Sequence, residues 1–133
     1  MMKNMKIIDD YEIMKGKIAE YLAQMQVAYD ENKALISVFE QSLTNDKPEL
    51  VGFDYYAAIK FVRTWDIIQS DVLNQSQKNL LFCYNLCDCD LETTLNTFNG
   101  KGKSYKNKAS LAVLICNIRK IIKKEYNRRY GNS

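Results

Sequence analysis

Apolar residues recur at spacings of three and four along almost the whole chain. No stretch alternates β-branched and polar residues in the manner of a half-buried strand. With one proline and five glycines in 133 residues, few positions interrupt a helix. These features predict an all-α fold of about five helices. The first is a long N-terminal amphipathic helix, placed at about Lys6 to Leu43. Tyr11, Met14, Ile18, Tyr21, Leu22, Met25, Tyr29, Leu35, Ile36, Phe39 and Leu43 form its apolar face, with a break expected near Asp30-Glu31-Asn32.

Thr44 to Phe53 holds Pro48 with Asn45, Asp46 and Gly52 and reads as the main connection. Asp54 then caps a second helix running to about Val72, whose wide apolar arc (Ala58, Phe61, Val62, Trp65, Ile68) fits a helix sandwiched between neighbours. A third helix follows Asn74-Gln75-Ser76, with Leu80, Cys83, Tyr84 and Cys87 on one face. Asp88 and Cys89 form a tight turn, and Asp90 caps a short fourth helix with Leu91, Thr94, Leu95 and Phe98 inward, closed by Asn99-Gly100. A polar loop from Lys101 to Lys106 leads to Asn107, the cap of the last helix. That helix is apolar nearly all round in its first half, as at the centre of a bundle, and is expected to fray past Tyr126. The organisation is one domain over 1–133: a long helix in 1–45 and a helical bundle in 54–130.

Composition removes several chemistries. Histidine is absent, which excludes Ser-His-Asp and Cys-His arrangements and mixed Cys/His zinc sites. Cys83, Cys87, Cys89 and Cys116 lack the paired knuckles of structural zinc sites, and Cys83 and Cys87 share an apolar face, so they read as core residues. Thr97 to Ser104 ends in Gly-Lys-Ser like a phosphate-binding loop. Threonine stands at the first glycine of that motif and a helix precedes it, so it reads as a flexible cationic arm. Asp66, beside Trp65, reads as a capped or paired acid at the core edge. No constellation suggests an enzyme, a metal or a cofactor. The longest apolar run, Leu111 to Cys116, is far short of a membrane span, and Asp9-Asp10 follow Ile7-Ile8 too closely for a signal-peptide core. A cytoplasmic protein with reduced thiols is the expectation.

The net charge of +3 conceals a division. Residues 1–100 carry nine Lys/Arg against fifteen Asp/Glu, a net −6, whereas 101–133 carry ten Lys/Arg and only Glu125, a net +9. A basic end joined to an acidic body is the electrostatic footprint of a nucleic-acid-facing end and a partner-facing body. Part of the charge also suits a helix C-terminus.

From Leu73, the run Leu-Asn-Gln-Ser-Gln-Lys-Asn-Leu-Leu-Phe, a turn, Asp90-Leu-Glu-Thr-Thr-Leu-Asn-Thr-Phe-Asn-Gly100, a polar loop and a basic amphipathic helix resembles the helix-turn-helix of sigma factor region four. It is also similar to small phage late-gene regulators of the ArpU type. The resemblance covers 74–127 and implies a sequence-specific DNA-binding transcriptional regulator of a phage or mobile element, with the last helix in the major groove. It places Lys106, Asn107, Lys108 and Ser110 at base edges and phosphates, Lys101 and Lys103 as a clamp on the backbone, and Arg119, Lys120, Lys123 and Lys124 on phosphates.

The first helix also spaces Tyr11, Ile18, Met25, Asn32 and Phe39 by seven. This is either a homodimer seam formed by Ile18, Met25, Asn32 and Phe39 or the inner face of an intramolecular bundle. The alternative function is a non-enzymatic protein-binding inhibitor or adaptor that docks on a host nucleic-acid-binding protein, using the acidic N-terminal part or the basic tail.

Overall fold

A computed structural model describes residues 2–44, 53–99 and 107–131, with side chains described over 13–44, 53–97 and 107–131. It is all-α: α1 Met2–Thr44, α2 Tyr55–Gln69, α3 Gln75–Leu86, α4 Leu91–Asn99 and α5 Lys108–Tyr130. The Thr44 to Phe53 connection (apart from its two ends), the Gly-Lys-Ser loop beyond Asn99 and the side chains of Tyr11 and Phe98 lie outside the described residues. None of the described helices is long and apolar enough to cross a membrane.

Side chains start the helices where the sequence places them. The Ala57 amide donates to Asp54 Oδ1 at 3.0 Å and the Thr93 amide to Asp90 Oδ2 at 3.0 Å, each filling a backbone donor that the first turn leaves open. Asn74 and Gln77 form a reciprocal capping box on α3. Between α3 and α4 the chain reverses through Asp88 and Cys89, at φ 56° and 59°, a left-handed pair that lets the Cys89 amide reach the Tyr84 carbonyl at 2.9 Å.

All five helices contribute to one apolar core. Leu73, Leu80, Cys83, Leu111, Ile115 and Ile118 are buried, and Met14 and Ile18 of α1, Ile68 of α2 and Leu91 and Leu95 of α4 pack against them. A second, aromatic part joins α1 to α2 and α3: Phe82 lies 5.7 Å from the Tyr21 ring and 6.0 Å from Trp65. Near the 45–52 connection, Phe39 stacks on Tyr55 at 4.9 Å, and the Tyr55 hydroxyl donates to Glu40 at 2.8 Å. The Tyr29 hydroxyl donates to Asp66 Oδ1 at 2.6 Å, so Asp66 is the paired acid at the core edge.

Five expectations need correction. No break occurs at Asp30-Glu31-Asn32: α1 is continuous from Met2 to Thr44, and Asn32 Nδ2 donates to the Ala28 carbonyl one turn back (2.8 Å). Helix α2 stops at Gln69 rather than near Val72, where the Ser70 hydroxyl and amide both turn back to the Ile67 carbonyl. Leu35 and Leu43 are exposed, and Ser42 is buried in their place, its hydroxyl donating to the Phe39 carbonyl at 2.8 Å. Instead of fraying at Tyr126, α5 runs to Tyr130 and ends on Gly131 at φ 84°, whose amide donates to the Asn127 carbonyl at 2.8 Å. Nor is the first half of α5 enclosed: Val113 is 58% exposed and Leu114 38%, because one face of α5 meets α2, α3 and α4 and nothing covers the other among the described residues.

Candidate nucleic-acid interface

Helix α5 presents two faces to solvent. Counting by helical turns from Ala109, the exposed residues Val113, Cys116, Asn117, Lys120 and Lys124 form an outward stripe. Arg119 and Lys123 sit about a quarter-turn round and line a groove of 740 Å³ shared with Lys60, Thr64 and Ile68 of α2 and Leu81 and Asn85 of α3. The four late cations expected on phosphates are therefore divided two and two.

Their electrostatic settings differ. Arg119 lies 5.7 Å from the Tyr84 ring centre, a cation–π contact that fixes it beside α3. Lys120, Lys123 and Lys124 have no carboxylate partner among the described residues. Further along, both Arg128 and Arg129 bond Glu125, at 2.7 Å from each Nε, and together they hold the Glu125 carboxyl down to about 2. Those two guanidiniums therefore share a single carboxylate, and the cluster keeps a net charge of +1. Arg63 of α2 sits 4.4 Å from the Tyr130 ring and closes the end of α5 onto α2.

At the start of α5, the residues expected at base edges are partly committed to the fold. Asn107 Oδ1 accepts the Ser110 amide at 2.9 Å as the helix cap, which leaves only its Nδ2 to face outward. Lys108 is 3.7 Å from Glu92 of α4, an exposed ion pair across the α4–α5 junction. Ser110 is exposed. Lys101, Lys103 and Lys106 lie outside the described residues.

Several residues of these surfaces were not singled out from the sequence. Val113 and Asn117 carry the stripe from Ser110 to Lys120, and Lys60 and Asn127 complete the groove. A lone lysine on an amphipathic helix carries no local signal of what will pack beside it. The heptad residues of α1 are partly buried within the chain: Ile18 packs on the core, Met25 lines a hollow against Phe61 and Trp65, Phe39 stacks on Tyr55, and Asn32 bonds its own helix. Cys83 and Cys87 are buried with their sulfurs 4.0 Å apart, while Cys89 and Cys116 are exposed. No cluster of three or more metal-ligating side chains occurs among the described residues. Compared with protein-family models, curated proteins and solved structures, the chain matches none.

Proposed function

We propose that the protein is a small DNA-binding regulator whose α5 lies against duplex DNA through its outward stripe. The observation that carries this reading is the pair Lys120 and Lys124, one turn apart, exposed and without carboxylate partners among the described residues. Unneutralised lysines on one helix face are suited to a phosphate backbone, which they bind with release of condensed counterions. Ser110 and Asn117 supply hydrogen-bonding groups on the same side, and Val113 an apolar contact of the kind that meets a thymine methyl. The resemblance of 74–127 to helix-turn-helix regulators is carried as a proposal of family. Because the α1 heptad residues are engaged within the chain, the reading assigns no dimer to them.

The test is duplex binding across a salt series. Affinity should fall linearly in log–log form by about 0.9 per phosphate neutralised, and a cognate sequence selected from a random pool should outcompete bulk DNA. A second reading, docking on a protein, is favoured by exposed Val113 and Leu114 beside a shallow 140 Å³ hollow lined by Ser76, Gln77 and Asn117. Absence of duplex binding at low salt would leave that reading in the lead.

A further inference from the structure

The groove beside α5 runs between Lys60 to Ile68 of α2 and Arg119 to Asn127 of α5, each wall about 12 Å of helix at about 1.5 Å per residue. Its floor is apolar: Ile68 and Ile122 are half-buried and Leu81 of α3 is buried. Around that floor stand three exposed cations, Lys60, Arg119 and Lys123, and no aspartate or glutamate lines the groove. Each wall carries one acid, and it is engaged elsewhere. Asp66 accepts from the Tyr29 hydroxyl of α1, and Glu125 is shared by Arg128 and Arg129. Arg119 is already held beside α3 by the Tyr84 ring, 5.7 Å away, which lowers the cost of ordering it around a ligand.

Charge and shape together narrow the occupant. Three cations along one groove, with no carboxylate among the lining residues, attract an anion. A bare inorganic anion meets the cations but leaves Ile68 and Ile122 against water. A duplex backbone offers phosphate and sugar to such a surface and has no apolar group to lay on the floor. A protein partner needs more area, since a stable interface takes roughly 20–30 residues a side and ten line this groove. Its 740 Å³ falls within the range of small-molecule sites, which join an apolar lining to a few polar groups that set orientation.

We propose that this groove binds a small organic acid, a single anionic head on an apolar or aromatic body. The head, a carboxylate, sulfonate or phosphate, lies among Lys60, Arg119 and Lys123 and accepts charge-assisted hydrogen bonds from them. The body covers Ile68, Leu81 and Ile122, and the apolar surface taken from water there adds to the attraction.

The proposal does not rest on the DNA reading, because Lys120 and Lys124 lie on the outward stripe and not in the groove. The probe is 8-anilinonaphthalene-1-sulfonate, an aromatic anion whose emission rises when it leaves water, titrated into the full chain. It should saturate at one site per chain. At matched ionic strength, N-phenyl-1-naphthylamine, the same rings without the sulfonate, should bind about tenfold more weakly or worse, and inorganic sulfate should not displace the probe. Lys60→Ala and Arg119→Ala should each weaken the probe by about tenfold, while the double change Lys120→Ala with Lys124→Ala should not. Saturating duplex DNA should leave the probe in place. Far-ultraviolet dichroism verifies that each variant is folded, and the exposed Lys60 provides a change remote from the core. The proposal is overturned if the probe does not saturate, if its uncharged counterpart binds as well, if sulfate displaces it, or if Lys60→Ala and Arg119→Ala leave affinity intact. It is equally overturned if the Lys120/Lys124 change or duplex DNA removes the probe, because the anion then lies on the outward stripe.

Discussion

Replacing Tyr29 with phenylalanine removes one oxygen atom and with it the 2.6 Å bond to Asp66 that ties α1 to α2. A hydrogen bond to a charged acceptor contributes about 1.5–3 kcal/mol. A second route gives a comparable figure. The bond to Asp66, helped by burial and the Asp66 charge, raises the Tyr29 hydroxyl from 10.0 to about 12. Two units correspond to at most about 2.7 kcal/mol, and the partly solvated rim of the site screens the interaction to about 1.5 kcal/mol. The sign follows from the proton. Folding holds the phenol proton more tightly than the unfolded chain does, so the contribution is complete below pH 10 and disappears as pH rises from 10 through about 12. Urea unfolding of wild type and Tyr29→Phe at matched pH measures the gap directly. It should be about 1.5 kcal/mol near neutrality, or about 5 °C in melting temperature, and should close in alkaline buffer. Equal stabilities at neutral pH, or a gap unchanged up to pH 12, would refute the reasoning.

Other outcomes follow from single residues. Leu111→Ala opens a cavity at a fully buried site on α5 and should cost about 3 kcal/mol in urea unfolding. Asn107→Ala removes the α5 cap and should cost about 1 kcal/mol, which Asn107→Ser should largely restore in the same assay. Cys89 and Cys116 are exposed while Cys83 and Cys87 are buried, and burial together with the neighbouring Cys87 pushes the Cys83 thiol well above its ordinary range. A thiol-titrating reagent should therefore react quickly with two thiols of the native protein and reach the other two only on unfolding.

How much of this was legible depended on how local the cause was. Asp54, Asp90 and Asn107 start their helices through bonds to amides three residues ahead, so their roles could be read from the sequence. Cys83 and Cys87 were recognisable as core because they share an apolar face with Leu80. The inner face of α1 was harder to follow. A strict seven-residue spacing drifts about 20° per heptad on a straight helix, so by the end of α1 Ser42 is buried and Leu43 exposed. Ile67 and Phe82, both deeply buried, were missed because α2 and α3 are covered on more than one side, which only packing decides. The exposure of Val113 and the meeting of Lys60 with Arg119 arise in the same way, from contacts between distant helices. Fold class lay in periodicity; the division of α5 into an outward face and a groove face did not.

The central claim is that the outward stripe of α5 contacts the phosphates of duplex DNA. The direct measurement compares the salt dependence of duplex binding for the wild type and for Lys120→Ala combined with Lys124→Ala. Losing two phosphate contacts should reduce the log–log slope by about 1.8 and weaken cognate and random duplex alike. An unchanged slope with unchanged affinity would contradict the claim, because two exposed lysines without carboxylate partners could then not be lying on the DNA.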